Sequence, residues 1–345
     1  MLEKIFFRKS DLFPVYSKST DIESLNILIG KIIFDYFGEN PVSFDINPTS
    51  TYHYVYHVIL KQHEVFVKIS KIHENKYTLY LEKYIYENII NNLNIGLKVF
   101  SIDINCLKYP FPFIILSKAN GVCLRQIDID SDFFYKIIRN LGKIVAQYHY
   151  LFCDNYGYGL IDIKTLIKTN KIQGYFNSWI EYLFLNVYEH LEFIRNYKVV
   201  NDKTIDFCKD LIKQILENKI LSPQNEYLSC LLHGDLGSHN IFVNSNNHIN
   251  SIIDWEDSLL GDPIYDIAMF ASFYRMHEFL DHFLDGYNSI KELNYENFFL
   301  RFWIYYLRIS IAKAVLRFKF GYDKIGESLS TPKIKMAIKY IEKYL

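Results

Sequence analysis

Leu232-His-Gly-Asp-Leu-Gly-Ser-His-Asn240, followed by Ile253-Asp-Trp-Glu-Asp257 and Gly261-Asp-Pro-Ile-Tyr-Asp266, is the stretch of this 345-residue chain on which its reading turns. Asp235 precedes Asn240 by five residues, on a loop that leads into a short apolar run at 241–243. An Asn-rich turn separates that run from a second one at 249–253, and Asp254 stands where the second run ends. A two-strand ribbon returns the chain to its start, so this spacing lets Asp235, Asn240 and Asp254 converge. One carboxylate to accept a proton, one neutral oxygen ligand and one carboxylate ligand form the set that phosphoryl transfer with a divalent cation requires. Singly, His-Gly-Asp or Gly-Asp-Pro is an ordinary turn; the joint spacing over 232–266 carries the argument.

Outward from this stretch the chain changes character. Residues 51–60 and 64–70 are rich in β-branched and aromatic residues around the connection Lys61-Gln-His63, and read as an antiparallel hairpin. Thr20-Asp-Ile-Glu23 has the form of a capping box before a helix over about 21–37. Tyr80, Tyr84, Ile85 and Ile89 recur at helical spacing within 77–93, and short strands are expected at 97–104 and 113–117. Beyond Gly121 helices are expected over 131–151, 174–194, 202–219, 264–285 and 295–319, interrupted only by the β runs at 241–243 and 249–253. The expected fold is α+β and bilobal. Residues 1–117 form a small sheet-rich lobe, residues 118–345 a larger helical lobe, and 117–121 the hinge. A chain of this length favours two lobes over one core.

Half the residues are hydrophobic and 17% aromatic, so disorder is excluded as the default. Thirty-eight basic and 39 acidic side chains leave a net charge of −1, which gives no field to hold a polyanion and argues against a nucleic-acid partner. Five scattered cysteines, none in a Cys-x-x-Cys pair, read as reduced thiols of a cytoplasmic protein. The N-terminus lacks the pattern of a signal peptide, and no run approaches 18 apolar residues, so no membrane partner is expected.

The 232–266 segment is similar to the signature of the aminoglycoside phosphotransferase and choline kinase superfamily, which is related to protein kinases. The resemblance implies a protein-kinase-like fold that binds ATP or GTP with Mg²⁺ between its lobes; a monomer or homodimer is expected. By position, Asp235 would be the catalytic base, and Asn240 and Asp254 the metal ligands. His233 would buttress the loop, and Asp266 would brace it through hydrogen bonds. Lys68, in the apolar run Val65-Phe-Val-Lys-Ile69, reads on its own as an edge residue reaching water. The kinase-like layout instead places it on the nucleotide phosphates, oriented by Glu82, with Glu87 as the alternative. Phe66, on the same strand face, would lie against the base. Ser50 and Thr51, in Asn47-Pro-Thr-Ser-Thr51, occupy the place of the phosphate-covering loop, although no Gly-x-Gly-x-x-Gly pattern is present. Backbone groups near Ser117 and Ala119 would bond the base.

Ten acidic residues against Arg275 and Lys291 lie between Asp254 and Glu296, where the superfamily builds its acceptor pocket. Asp257, Glu278, Asp281 and Asp285 are the candidates to attract a cationic small-molecule substrate, although any one acid on a helix is more often a solvated surface group. The Gly-Ser pair of the 232–240 loop, Ser178-Trp-Ile-Glu-Tyr182 and Tyr305-Tyr-Leu-Arg-Ile309 resemble the hygromycin- and aminoglycoside-modifying branches. The expected activity is O-phosphorylation of an aminoglycoside or aminocyclitol, a resistance function. The rivals are a metabolic kinase of choline, an amino-alcohol or a sugar, and a nucleotide-binding pseudokinase. His239 and His248 read as loop histidines, and Trp255 as a packing residue.

Overall fold

Val65, Val67 and Ile69 alternate with Phe66 and Lys68, and in the computed structural model this alternation decides which way the first sheet faces. The structure describes residues 22–47, 53–71, 76–154, 156–217, 221, 229–293, 296–324 and 328–345. Thr20 and Asp21 of the expected capping box, and Ser50 and Thr51, lie outside the described residues. The chain forms two compact units. One runs to Ile137 and also takes His239–Asp257; the other comprises Ile138–Ser238 and Ser258–Leu345.

The first unit begins with α1 (Ile22–Phe37), β1 (Ser43–Asn47), β2 (His53–Ile59), β3 (Glu64–Ser70), α2 (Lys76–Asn88), β4 (Val99–Asp103) and β5 (Phe113–Ser117). These strands form one antiparallel sheet in the order β1-β2-β3-β5-β4. Tyr56, Val58, Val65, Val67 and Ile69 turn to one face and join Leu25, Ile29, Ile32 and Ile33 of α1 in a continuous core. Full burial of each large aliphatic side chain stabilises by about 1.5–3 kcal/mol. Strict alternation therefore turns His53, Val55, Phe66 and Lys68 to the opposite face. The short β6 (Val122–Cys123) pairs with Ile241–Val243, which pairs in turn with Ile249–Ile252. This ribbon is the β interruption expected from the sequence. Gly121 enters it at φ +104°, and a Cβ there would meet the Val243 carbonyl oxygen at 2.3 Å, so only glycine fits.

The second unit contains α3 (Phe134–Leu151, whose first turn still belongs to the first unit), β7 (Cys153–Asp154), β8 (Tyr158–Ile161), α4 (Ile163–Thr169), β9 (Gly174–Phe176), α5 (Trp179–Leu183), α6 (Val187–Asn196), α7 (Asp202–Glu217) and β10 (Ser229–Leu232). It continues with β11 (Leu259–Gly261), α8 (Ile264–Ala271), α9 (Leu280–Asn288), α10 (Phe298–Lys319) and α11 (Thr331–Tyr344). α10 is buried on nearly every side, which explains an apolar pattern with no polar stripe. Asp162 caps α4, its carboxylate accepting the Lys164 and Thr165 amides.

Four features differ from expectation. The helical half holds a second antiparallel sheet, β7-β10-β11-β8-β9, built from strands of two to four residues. Ser229-Cys-Leu-Leu232 is buried at every position, so it shows no alternation to read. The single helix expected over 174–194 is a strand and two helices, separated at Asn186, which takes φ 55°. The helix expected over 264–285 breaks likewise at Arg275, φ 52°, and resumes as α9. β1 and α11 were not foreseen. No described helix is long and apolar enough to cross a membrane, and the five cysteines are free thiols.

Candidate active site

Lys68 is the centre of the first unit's polar cluster. Its Nζ donates to both Glu82 oxygens, at 3.0 and 2.9 Å, and to Asp254 Oδ1 at 2.6 Å. Glu82 is fully buried on α2, while Glu87 pairs with Lys83 at 2.7 Å; the geometry thus selects Glu82 of the two candidates. Burial alone would depress Lys68, but Asp254, Glu82 and Glu256 outweigh it and hold the ammonium well above its usual value. Burial raises Glu82, opposed by Lys68 and reinforced by Asp254 and Glu256.

Asp254 leaves the ribbon at φ 69°, a left-handed conformation that a non-glycine residue adopts only when its surroundings impose it. Its backbone N–H donates to the Tyr86 hydroxyl (3.2 Å), which itself donates to Glu82 (3.3 Å). Asn240, 3% exposed, lies at the other strand's start, its carbonyl accepting the Ile253 amide at 2.9 Å. The ribbon thereby sets Asn240 beside the Ile253–Asp254 corner. Glu82, Asp254 and Glu256 each bring a carboxylate oxygen within 4.8 Å of the others. Three carboxylates facing one ammonium leave excess negative charge on hard oxygen donors, a set that fits Mg²⁺.

The second unit carries Asp235. Its loop hangs on Asp266, fully buried at the start of α8, whose two oxygens accept the backbone amides of His233 (2.7 Å) and Gly234 (3.1 Å). The Tyr148 hydroxyl (2.8 Å) and His149 Nε2 (3.3 Å) also donate to Asp266. Burial would raise the Asp266 carboxyl; the bond and charge of His149 and the nearby His233 overcome it and hold it below its usual value. His233 is fully buried and accepts the Asp235 amide at Nδ1, 3.3 Å, while the Asp235 carboxylate stays partly exposed.

Several placements bear on base and acceptor. Phe66 is partly exposed and stacks on His57, with centroids 5.0 Å apart. The Ser117 amide and hydroxyl are both bonded to the Lys98 backbone, and Ala119 is buried. Of the acidic candidates, Glu278 is taken up by Arg275 through two bonds of 2.7 and 2.8 Å. Asp257 is exposed after Trp255–Glu256, and Asp281 and Asp285 are exposed one turn apart on α9. Trp255 is fully buried, its Nε1 bonded to the Ile252 carbonyl.

Sequence reading missed several members of both units. Asp262 of the Gly-Asp-Pro element is buried and accepts from Arg301 Nε (2.9 Å), the Tyr305 hydroxyl (2.7 Å) and the Ile264 amide (3.0 Å). Tyr86 and the buried His53–Glu256 pair were also not foreseen. Lys313, on α10, donates to Ser272 Oγ at 2.9 Å and lies 3.5 Å from the Phe273 ring centre. Burial pushes it down to about 7, and Asp235 is the charge that most opposes this. Their long-range partners come from remote parts of the chain: Arg301 and Tyr305 for Asp262, Asp254 for Tyr86, Glu256 for His53 and Ser272 for Lys313.

The profile described as "Phosphotransferase enzyme family" matches residues 53–298, well over half the chain. The search of curated proteins found no match to this chain. Among solved structures, a thermostable mutant of aminoglycoside phosphotransferase APH(4)-Ia in apo form is similar at TM-score 0.63 and 14% identity, over 91% of this chain and 97% of that one. A putative fructosamine-3-kinase from Haemophilus somnus 129PT is similar at 0.62 and 18% identity, covering 92% and 96%. The choline kinase LicA from Streptococcus pneumoniae is similar at 0.61 and 15%, covering 93% and 100%. At these identities the likeness shows the fold: α+β, sheet-rich towards the N-terminus and helical towards the C-terminus, shared with kinases of small molecules. With the Lys68–Glu82–Asp254 cluster, the Asp266-braced loop and a family profile spanning both, this chain belongs to the phosphotransferase enzyme family.

Proposed function

We propose that the protein transfers the terminal phosphoryl group of ATP or GTP to a hydroxyl of a small molecule. The observation that carries this reading is Lys68 held between Glu82 and Asp254, an ammonium oriented by buried carboxylates as phosphate binding needs. Asp235 accepts the acceptor's hydroxyl proton as that oxygen bonds to phosphorus and the bond to the departing nucleoside diphosphate breaks. Lys68 offsets charge on the phosphates. Asn240 and Asp254 would hold Mg²⁺, which supplies further charge neutralisation when bound. His233 and Asp266 keep Asp235's backbone in place. Free thiols fit work in the cytoplasm.

The acceptor reading is an amine-bearing aminocyclitol or aminoglycoside. It is supported by the exposed Asp281 and Asp285 and by a solved neighbour described as a ternary complex with AMP-PNP and hygromycin B. A second reading, a neutral acceptor such as a sugar, is favoured by Lys313, a buried lysine whose positive charge Asp235 supports. A diphosphate-release assay with Mg-ATP and Mg-GTP decides, run over aminoglycosides, aminocyclitols, choline and sugars. Turnover on the antibiotics supports the first reading and turnover on sugars alone the second. Nucleotide binding with no turnover on any acceptor would overturn the transferase.

A further inference from the structure

We propose that the second unit holds an anionic group of the acceptor on Lys313, Arg317 and Lys333, beside the hydroxyl that Asp235 would deprotonate. This rests on the second, sugar-type acceptor reading above and narrows it to sugar acids and sugar phosphates. The three cations gather where α8 ends. Ser272, fully buried, follows the last residue of that helix. Its hydroxyl accepts from Lys313 Nζ at 2.9 Å, and its carbonyl accepts from Lys333 Nζ. Arg317, one turn beyond Lys313 on α10, pairs with Asp323 at 3.0 Å. Asp323 also accepts the Ser328 hydroxyl at 2.7 Å, so this carboxylate is already engaged. Among the described residues neither Lys313 nor Lys333 has a carboxylate within ion-pair distance; both bond only to uncharged oxygens of Ser272.

Finishing α8 does not account for this much charge. The end of a helix carries about half a negative charge, which one ammonium answers. Three cations against one carboxylate and that helix end leave roughly one to two positive charges unanswered. An ammonium has three N–H donors, and each lysine spends one on Ser272. Burial lowers both lysines, Lys313 to about 7, and Arg317 adds to the effect at Lys333. Both are short of negative charge, and an anion bound against them favours their charged form. Lys313, Arg317 and Lys333 are largely buried, yet none is sealed off. Tyr274, directly after the Phe273 ring that Lys313 faces, is 75% exposed, and Tyr322, near the Arg317 guanidinium, is 58% exposed. The cluster also belongs with the Asp235 loop. Asp235 is the carboxylate that supports the Lys313 ammonium. Asp266, which holds the backbone of His233 and Gly234, stands six residues before Ser272, about 9 Å along the helix. A hydroxyl at Asp235 and a charge at Lys313 can thus belong to one small molecule, whereas the same cations repel the ammonium groups of an aminoglycoside.

Phosphoryl transfer from Mg-ATP and Mg-GTP is measured on glucose, gluconate, glucuronate and glucose 6-phosphate, with an aminoglycoside alongside. The wild type, Lys313→Met and Lys313→Arg are compared, with a thermal melt of each. The expected result is a wild-type kcat/KM at least roughly tenfold higher for a charged sugar than for glucose, carried mainly by KM. The ranking of the sugar acids against glucose 6-phosphate tells a carboxylate from a phosphate. In Lys313→Met that preference should fall roughly tenfold, as for loss of one charge-assisted bond, and Lys313→Arg should recover part of it. The wild-type comparison stands by itself if Lys313→Met does not fold. Glucose used as well as its charged forms overturns the proposal and leaves the sugar-type reading in place. So does a preference that survives in a folded Lys313→Met. Turnover of the aminoglycoside alone, or of no acceptor, overturns the sugar-type reading and the proposal with it.

Discussion

Asp235 and Lys313 are the residues whose chemistry is most exposed to test. Asp235→Ala removes the carboxylate proposed to accept the proton but none of the groups around Lys68. Turnover should therefore fall roughly 10²–10⁴-fold, with nucleotide affinity nearly unchanged in a binding titration; wild-type turnover would remove Asp235 from the mechanism. Lys313 is tested through pH. Burial holds it near 7 against an ordinary 10.5, so across that window the unfolded chain binds the extra proton and the folded chain does not. Stability attributable to this site thus rises with pH from about 7 towards 10.5, and below 7 the cost of the buried charge is present in full. Lys313→Met should raise the melting temperature at about pH 6, with a gain that shrinks towards about pH 10. A gain independent of pH would mean that the methionine acts by packing alone.

At the scale of elements, the Asp235 loop depends on two helices that reach it through Asp266. α3 supplies Tyr148 and His149 to Asp266, and α9 supplies the Tyr287 hydroxyl to His149 Nδ1 at 2.8 Å. These two helices meet backbone to backbone. A Cβ on Gly142 would lie 2.0 Å from the Phe283 carbonyl oxygen, and one on Gly286 1.8 Å from that of Arg139. Gly286→Ala must push the helices apart, at roughly 1–3 kcal/mol or more, and should lower both the melting temperature and the turnover. Full activity in this variant would show that the brace tolerates a displaced α9. The sequence contained no sign of this contact, because a glycine inside a helical pattern does not say what it faces. The loop itself was legible, since Asp235, Asn240, Asp254 and Asp266 lie within one short segment whose spacing constrains them together. The hairpin of β2 and β3 was legible because one buried face imposes alternation over seven residues. β10 and β11 flank the same loop yet were unreadable, being short and buried on both faces. Arg301 and Tyr305 could not be joined to Asp262 from sequence for a related reason: α10 is apolar all round and hides which positions face inwards.

At the scale of the whole chain, the path is discontinuous. The first unit is left at Ile137, re-entered at His239 and left again after Asp257, so the segment that carries Asn240 and Asp254 is foreign in sequence to the sheet that carries Lys68. A simple division at residue 117 does not describe such a unit, because its polar cluster is closed by chain from more than a hundred residues away. The consequence is testable with fragments. A polypeptide ending at Ile137 retains Lys68 and Glu82 but loses Asp254, the Glu256 partner of His53, and the strand that pairs with β6. Its buried ammonium keeps one carboxylate, and His53 loses its bond; stranding a partner of a buried pair costs on the order of 3–5 kcal/mol. Joining His239–Asp257 to that fragment through a flexible Gly/Ser linker restores those partners at a closure cost that grows only slowly with linker length. The joined polypeptide should unfold at a clearly higher urea concentration than the plain fragment. Replacing Asp254 and Glu256 by Asn and Gln within it should remove much of the gain. Equal midpoints for the plain and joined fragments would mean that the sheet and α1 stand without the ribbon, and that the Lys68 cluster is held together for catalysis and not for stability.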